Sequence, residues 1–149
     1  MIKPIVLALF LCAASSWAQS SFTVQGINGK SVELSAADLS KLPQQTIKTT
    51  DHDKPVTFQG VALKDVLAKV DLPLGESFHH TATSYYLLVE AKDGYRAIFS
   101  WAEMDPGFMD KPVYMIAKPD GSFQLVVPGE KRGGRWVRQV TALRVKQDK

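Results

Sequence analysis

Residues 85–100, Tyr85-Tyr-Leu-Leu-Val-Glu-Ala-Lys-Asp-Gly-Tyr-Arg-Ala-Ile-Phe-Ser100, contain two strand-like runs on either side of an Asp-Gly pair. Aromatic and β-branched residues dominate both runs, and Asp93-Gly94 tolerates the positive φ angles of a tight turn. The stretch therefore predicts a β-hairpin. Similar patterns surround Asn28-Gly29 and Pro119-Asp120-Gly121, which predict further hairpins and a β-rich chain.

Three short segments between these strands have helical signals. Residues 35–42 begin with the capping residue Ser35 and stop before Pro43. Residues 61–70 place apolar side chains at i, i+3, i+4 and i+7, and Ser100 with Glu103 fits a capping box. Further strands are predicted at 46–50, 56–58 and 136–145. Together these elements predict an α+β fold, a β-rich mixed-sheet domain with two to three short helices.

The composition is that of one ordinary globular domain. Of 149 residues, 45% are hydrophobic and 22% are charged, which excludes disordered, collagen-like and coiled-coil chains. A formal charge of +3 is too small to indicate a nucleic-acid partner. There is no run of 18 or more apolar residues, so no ordinary membrane-spanning helix is expected.

Residues 1–18 have the pattern of a signal peptide. Lys3 supplies the positive end, an apolar run follows, and Ser16-Trp17-Ala18 supplies the small residues of a cleavage site. A buried core helix is a weaker alternative because of the segment's position and its small-residue ending. A lipoprotein signal at Cys12 is weaker because bulky Leu11 precedes that cysteine. We therefore expect a periplasmic or secreted protein whose single domain spans 19–149. Cleavage would remove Cys12, the chain's one cysteine.

The most informative segment for function is the basic loop, residues 128–136. Glycines at 129, 133 and 134 leave backbone N–H groups accessible, and Lys131, Arg132 and Arg135 supply positive charge. Such groups match the oxygens of a phosphate or another anion. The alternative is a solvated turn between two strands, and composition alone favours that alternative.

The histidines give weaker signals. His52 stands between Asp51 and Asp53, an arrangement that suits either a metal or acid–base site or an ordinary polar hairpin tip. His79-His80 lacks a nearby partner at chelating spacing. The sequence contains no zinc-enzyme motif and no Gly-x-Ser-x-Gly elbow, so neither zinc hydrolysis nor serine hydrolysis has a motif behind it.

Several segments together resemble the molybdopterin-binding domain of sulfite-oxidase-type oxidoreductases. Residues 58–67 resemble its "GV-x-L-x-x-L-L" segment, and 91–100 its "DGY-x-x-x-x-S" hairpin. Residues 125–129 and 133–137 resemble its "RLVVPG…G-x-RWV-x-x-V" ending. Order and spacing agree over residues 32–145, and the resemblance is closest to small exported single-domain members.

The resemblance implies a molybdopterin cofactor and electron transfer coupled to movement of an oxygen atom. It would place Lys131, Arg132, Gly133 and Arg135 near the pterin or its phosphate, and His52 on the metal side. The family's molybdenum-binding cysteine is missing from residues 19–149, and no metal ligand is assigned in its place. The stretch between Val113 and Leu125 is also shorter than in the enzymes.

Two main hypotheses follow. The first is a periplasmic molybdopterin-dependent oxidoreductase, or a catalytically degenerate relative of one. The second is a cofactor-free binding or sensor module on the same fold, which binds a small anion or a protein partner. A structural role in an envelope complex is a third alternative.

Overall fold

The computed structural model describes residues 20–71 and 82–148. Across these residues there are nine β-strands and three short α-helices. The strands are β1 Ser21–Gln25, β2 Ser31–Ser35, β3 Gln44–Asp51, β4 Lys54–Ala62, β5 Tyr85–Ala91, β6 Arg96–Ser100, β7 Tyr114–Ala117, β8 Phe123–Val126 and β9 Val140–Gln147. The helices are α1 Ala36–Ser40, α2 Leu63–Leu67 and α3 Trp101–Met104. The predicted β-rich α+β class is confirmed.

The strands form two sheets. A five-stranded mixed sheet has the order β2-β1-β9-β5-β6, in which β1 and β9 are parallel and the other pairs are antiparallel. A four-stranded antiparallel sheet has the order β3-β4-β7-β8. The two hairpins predicted around Asn28-Gly29 and Asp93-Gly94 lie in the first sheet, and φ is positive at both glycines.

Apolar side chains of both sheets form one core. Phe22 of β1 and Phe123 of β8 meet edge to face, with ring centroids 4.7 Å apart. The predicted apolar face of 61–70 is confirmed, since Leu63, Val66 and Leu67 are all buried, as is Val70. No helix among the described residues is long and apolar enough to cross a membrane.

Helix α1 shows why its boundary could be predicted. The Ser35 Oγ accepts a hydrogen bond from the Asp38 N–H at 3.2 Å, and the Ser35 N–H donates to Asp38 Oδ2 at 3.0 Å. These reciprocal bonds satisfy backbone donors that the first helical turn leaves unpaired. They also lower the pKa of Asp38, which keeps its carboxylate charged.

Predicted boundaries were wrong at the helix of 61–70 and at the final strand. The helix predicted at 61–70 begins at Leu63, because Val61 and Ala62 pair with β7 and continue β4. The final strand begins at Val140 and not at residue 136. Upstream of it, the Trp136 indole N–H donates to the Val127 carbonyl at 2.9 Å, and Gln139 adopts a positive φ of 53°. These features hold residues 136–139 out of the five-stranded sheet.

Two predicted features lie outside the described residues. They are the signal peptide, residues 1–18, and the His79-His80 pair.

Gly60 in β4 provides a test of the packing between β4 and β7. A Cβ at this position would lie 2.3 Å from Ile116 Cδ1 and 2.8 Å from the Met115 carbonyl oxygen. Because backbone cannot move aside cheaply, we expect Gly60→Ala to lower the free energy of unfolding by about 1–3 kcal/mol. Urea denaturation would measure the loss. Gly133→Ala is the matched control, since a Cβ there meets nothing within 4 Å. Equal stability of the two variants would contradict this packing.

Candidate functional site

The hairpin between β3 and β4 carries His52 at its tip. The strands predicted at 46–50 and 56–58 are longer in the structure, and they pair as far as Asp51 and Lys54. The turn is therefore only His52-Asp53, with φ values of 47° and 63°. Two consecutive positive φ values are typical of a tight hairpin turn. The His52 side chain is 84% exposed, and its Nδ1 lies 2.7 Å from Asp51 Oδ1.

The basic loop connects β8 to β9 and is anchored at its end. Trp136 is buried, its indole N–H donates to the Val127 carbonyl, and its ring meets Phe58 of β4 edge to face at 6.0 Å. Because Phe58 belongs to the β3–β4 hairpin, this aromatic contact fixes the loop beside that hairpin.

The hairpin tip and the basic loop together form one small cleft of about 150 Å³, the hairpin–loop cleft. The structure thus brings together four residues that sequence had selected, His52, Lys131, Arg132 and Gly133, although they come from segments about 80 positions apart. The cleft is lined by Thr50, Asp51, His52, Glu130, Lys131, Arg132, Gly133 and Trp136.

Arg135 is not among the lining residues. Its Nη1 lies 2.7 Å from Glu103 Oε1, and its Nε lies 2.9 Å from Glu130 Oε1. The guanidinium carbon also stands 4.5 Å from the centroid of the Phe99 ring. The structure therefore places Arg135 between two carboxylates and an aromatic face, where it ties the basic loop to β6 and α3.

Lys111 completes this cluster, which sequence reasoning missed. Its Nζ lies 2.8 Å from Glu130 Oε1 and 4.0 Å from Glu103 Oε2. We call Glu103, Lys111, Glu130 and Arg135 the charge cluster. The sequence singled out Glu103 only as the partner of Ser100 in a capping box. Glu103 has this role too, since its Oε1 accepts a hydrogen bond from the Ser100 N–H at 3.0 Å.

The charge cluster neutralises the acidic wall of the hairpin–loop cleft. Burial opposes ionisation of Glu130, but hydrogen bonds from Arg135 and Lys111 outweigh it and hold the pKa of Glu130 below its ordinary value. Burial likewise opposes the charge of Arg135, yet its bonds to Glu103 and Glu130 raise the pKa of Arg135. Glu130 is therefore an anion already paired with two cations.

Lys131 and Arg132 have a different environment. Both are exposed, and neither lies within ion-pair distance of a carboxylate in the described part of the chain. Over the same residues, the backbone N–H groups of Lys131, Arg132 and Gly133 donate no hydrogen bond to another backbone group. The cleft thus presents positive charge and accessible donors.

The paired state of Glu130 predicts a pH dependence of stability. A carboxylate whose pKa is lowered by folding stabilises the protein above its unfolded pKa, and that contribution is lost as pH falls through the folded pKa. We expect stability to fall between about pH 5 and pH 2, and Glu130→Gln to make that fall shallower. Urea denaturation at a series of pH values would measure it. Asp148→Asn, at an exposed carboxylate that forms no ion pair with the residues that the structure describes, should leave the slope unchanged. An identical slope in Glu130→Gln would contradict the pairing.

No protein-family model matches this chain, and no curated protein matches it.

The donor set of the cleft does not fit a molybdenum centre. Its side chains offer oxygen and nitrogen atoms, whereas the resembled enzymes use a soft thiolate. Within residues 20–71 and 82–148, no group of three or more His, Cys, Asp or Glu residues is placed to hold a metal ion. A cleft of about 150 Å³ is also smaller than the roughly 300–1,000 Å³ typical of pockets for larger ligands. It suits a single small anion better than an entire pterin.

Proposed function

We propose that this protein is an exported, cofactor-free binding module that takes a small oxyanion in the hairpin–loop cleft. We further propose that its domain is related to the sulfite-oxidase-type molybdopterin domain and has a binding role in place of redox catalysis. The observation that carries the proposal is the convergence of His52 with Lys131, Arg132 and Gly133 around one cleft.

The charges of the cleft support an anionic ligand. Glu130 is already compensated by Arg135 and Lys111, and the Asp51 Oδ1 lies 2.7 Å from the His52 Nδ1. The positive charges of Lys131 and Arg132 are not compensated in this way. A guanidinium fork and several backbone N–H groups can together satisfy the oxygens of a phosphate-like ion.

Calorimetric titration with inorganic phosphate tests the proposal. We expect Arg132→Ala and Lys131→Ala each to weaken phosphate binding by about 1–3 kcal/mol, the usual cost of losing a charge-assisted hydrogen bond. Lys48→Ala is the matched control, since Lys48 is an exposed cation on β3 that does not line the cleft. The control should bind phosphate like the unaltered protein.

Two outcomes would overturn the proposal. If all three variants lost the same small affinity, binding would reflect net charge and not this cleft. If protein purified from the periplasm of a molybdopterin-producing host carried stoichiometric molybdenum and a pterin, the cofactor-free module would be replaced by the oxidoreductase hypothesis.

A further inference from the structure

A second and larger cleft lies beside the first. Its volume is about 450 Å³, and its lining residues are Asp51, Phe58, Asp93, Lys118, Asp120, Ser122, Gln124, Arg138 and Gln139. Asp51 lines both clefts, and the ring of Phe58 in this cleft contacts the ring of Trp136 in the other. We call it the Gln124 cleft. No sequence motif pointed to it, because its residues come from four segments that are far apart in the chain.

Gln124 is the feature that points to a ligand. It is only 7% exposed, in a strand whose other residues are all apolar and buried. Its backbone pairs with Ile116, and a bridge joins it to Arg138. Its side-chain amide, however, has no hydrogen-bond partner among the described residues, although it lines the cleft. Among the described residues the Gln124 amide is not one of the fully buried polar atoms without a partner, so it reaches the cleft and offers a ligand there an unused donor and acceptor.

Charges of both signs surround this amide. Lys118 and Arg138 form no ion pair within the described residues, and the Lys118 Nζ lies 5.7 Å from the centroid of the Phe58 ring. On the acidic side, Asp93 and Asp120 each have one oxygen engaged. Asp93 Oδ1 accepts the Tyr95 N–H at 3.0 Å.

Asp120 is held as an anion. Its Oδ1 accepts both the N–H and the O–H of Ser122, at 2.9 and 2.6 Å. These bonds lower the pKa of Asp120. Its Oδ2 has no such partner among the described residues, and therefore remains available to a donor on a ligand.

The backbone beside Arg138 is also unusual. Gln139 has a φ of 53°, which non-glycine residues seldom adopt, and its carbonyl accepts the Lys92 N–H at 2.9 Å. Such strained residues are concentrated at functional sites. The local geometry brings Arg138 and Gln139 to the same cleft as Gln124.

We infer that the Gln124 cleft binds a small zwitterion of the basic amino-acid class. Arg138 and the Gln124 amide N–H groups match a carboxylate, while Asp93 and Asp120 match ammonium groups. The Phe58 ring offers an apolar face to the carbon chain between them. Asp93 and Asp120 each keep one oxygen without a partner among the described residues, which favours a ligand with two ammonium groups and one carboxylate, as in lysine.

NMR titration of the full chain with L-lysine tests this inference. We expect lysine to shift the Gln124 side-chain amide resonances until they saturate. Acetate and n-butylamine should not saturate them, because acetate has only the carboxylate and n-butylamine only the ammonium group. Gln124→Leu and Arg138→Ala should each weaken lysine binding about tenfold or more. Lys48→Ala, outside the cleft, should retain the unaltered affinity.

The variants also separate binding from folding. Arg138 is exposed, so Arg138→Ala tests the inference even if Gln124→Leu does not fold. Gln124→Leu should melt at the same temperature as the unaltered protein or higher, because the replaced amide has no partner to lose. Absence of saturable shifts with lysine, or unchanged lysine affinity in Arg138→Ala, would overturn the inference.

Discussion

Phe123→Ala is expected to lower the free energy of unfolding by about 3–5 kcal/mol, the largest loss for any substitution considered in this protein. Phe123 belongs to β8 of the four-stranded sheet, is 2% exposed, and contacts Phe22 of the five-stranded sheet. Truncation would remove buried apolar area and leave a cavity between the sheets. The two layers therefore depend on this contact.

Urea denaturation followed by circular dichroism would measure the loss. Phe108→Ala is the matched control, since Phe108 is 48% exposed and its truncation should change stability by no more than about 0.5 kcal/mol. A similar small change for Phe123→Ala would show that the two sheets do not share the core described above.

Arg135→Ala is expected to lower the free energy of unfolding by about 2–4 kcal/mol, somewhat below the usual loss for a fully buried pair. The Arg135 side chain is 27% exposed, and its carboxylate partners Glu103 and Glu130 are 17% and 14% exposed. Its removal would leave those two anions with Lys111 as their remaining partner in the cluster. It would also remove the guanidinium from the Phe99 ring.

Two further variants identify the cause of this loss. Arg132→Ala removes an exposed arginine three residues away that has no ion pair in the described chain, so its stability should change by no more than about 0.5 kcal/mol. Arg135→Lys should recover only part of the stability, since an ammonium cannot bridge both carboxylates as the guanidinium does. If Arg135→Ala remained fully stable but lost phosphate affinity, Arg135 would be an anion ligand and not a structural cation.

Much of the local structure could be predicted because its causes are local. The glycines of Asn28-Gly29 and Asp93-Gly94 adopt the positive φ of their tight turns, and the Ser35 Oγ caps α1 by accepting the N–H of Asp38, three residues further along the chain. The parallel pairing of β1 with β9 could not be predicted in this way. Val24 pairs with Leu143 across almost the whole chain, and nothing near either residue specifies the partner.

The sequence predicted which residues belong to the candidate site, but it did not predict how they are arranged in space. Charge and glycine content selected Lys131, Arg132 and Gly133, but their position beside His52 depends on the contact of Trp136 with Phe58. Arg135 belonged to the same run of charges. Its pairing with Glu103 depends on the tertiary fold, which brings α3 to the basic loop.

Gln124 shows a further limit of sequence reasoning. Gln124 is the one polar residue of β8, Phe123-Gln-Leu-Val126, and successive side chains of a strand point to opposite faces, so a polar one is expected to face solvent. The structure instead buries it, because residues 136–138 lie alongside β8 through the Gln124–Arg138 bridge and the Leu125 N–H bond to the Val137 carbonyl, 2.9 Å long. That segment had been expected to belong to the final strand.

The most direct test of the proposed function is an NMR titration of the full chain with inorganic phosphate, followed at the backbone amides. We expect the amides of Lys131, Arg132 and Gly133 to shift together with that of His52 and to saturate at one common Kd. Shifts confined to the basic loop, or shifts that never saturate, would contradict the claim that the hairpin tip and the loop form a single anion-binding cleft.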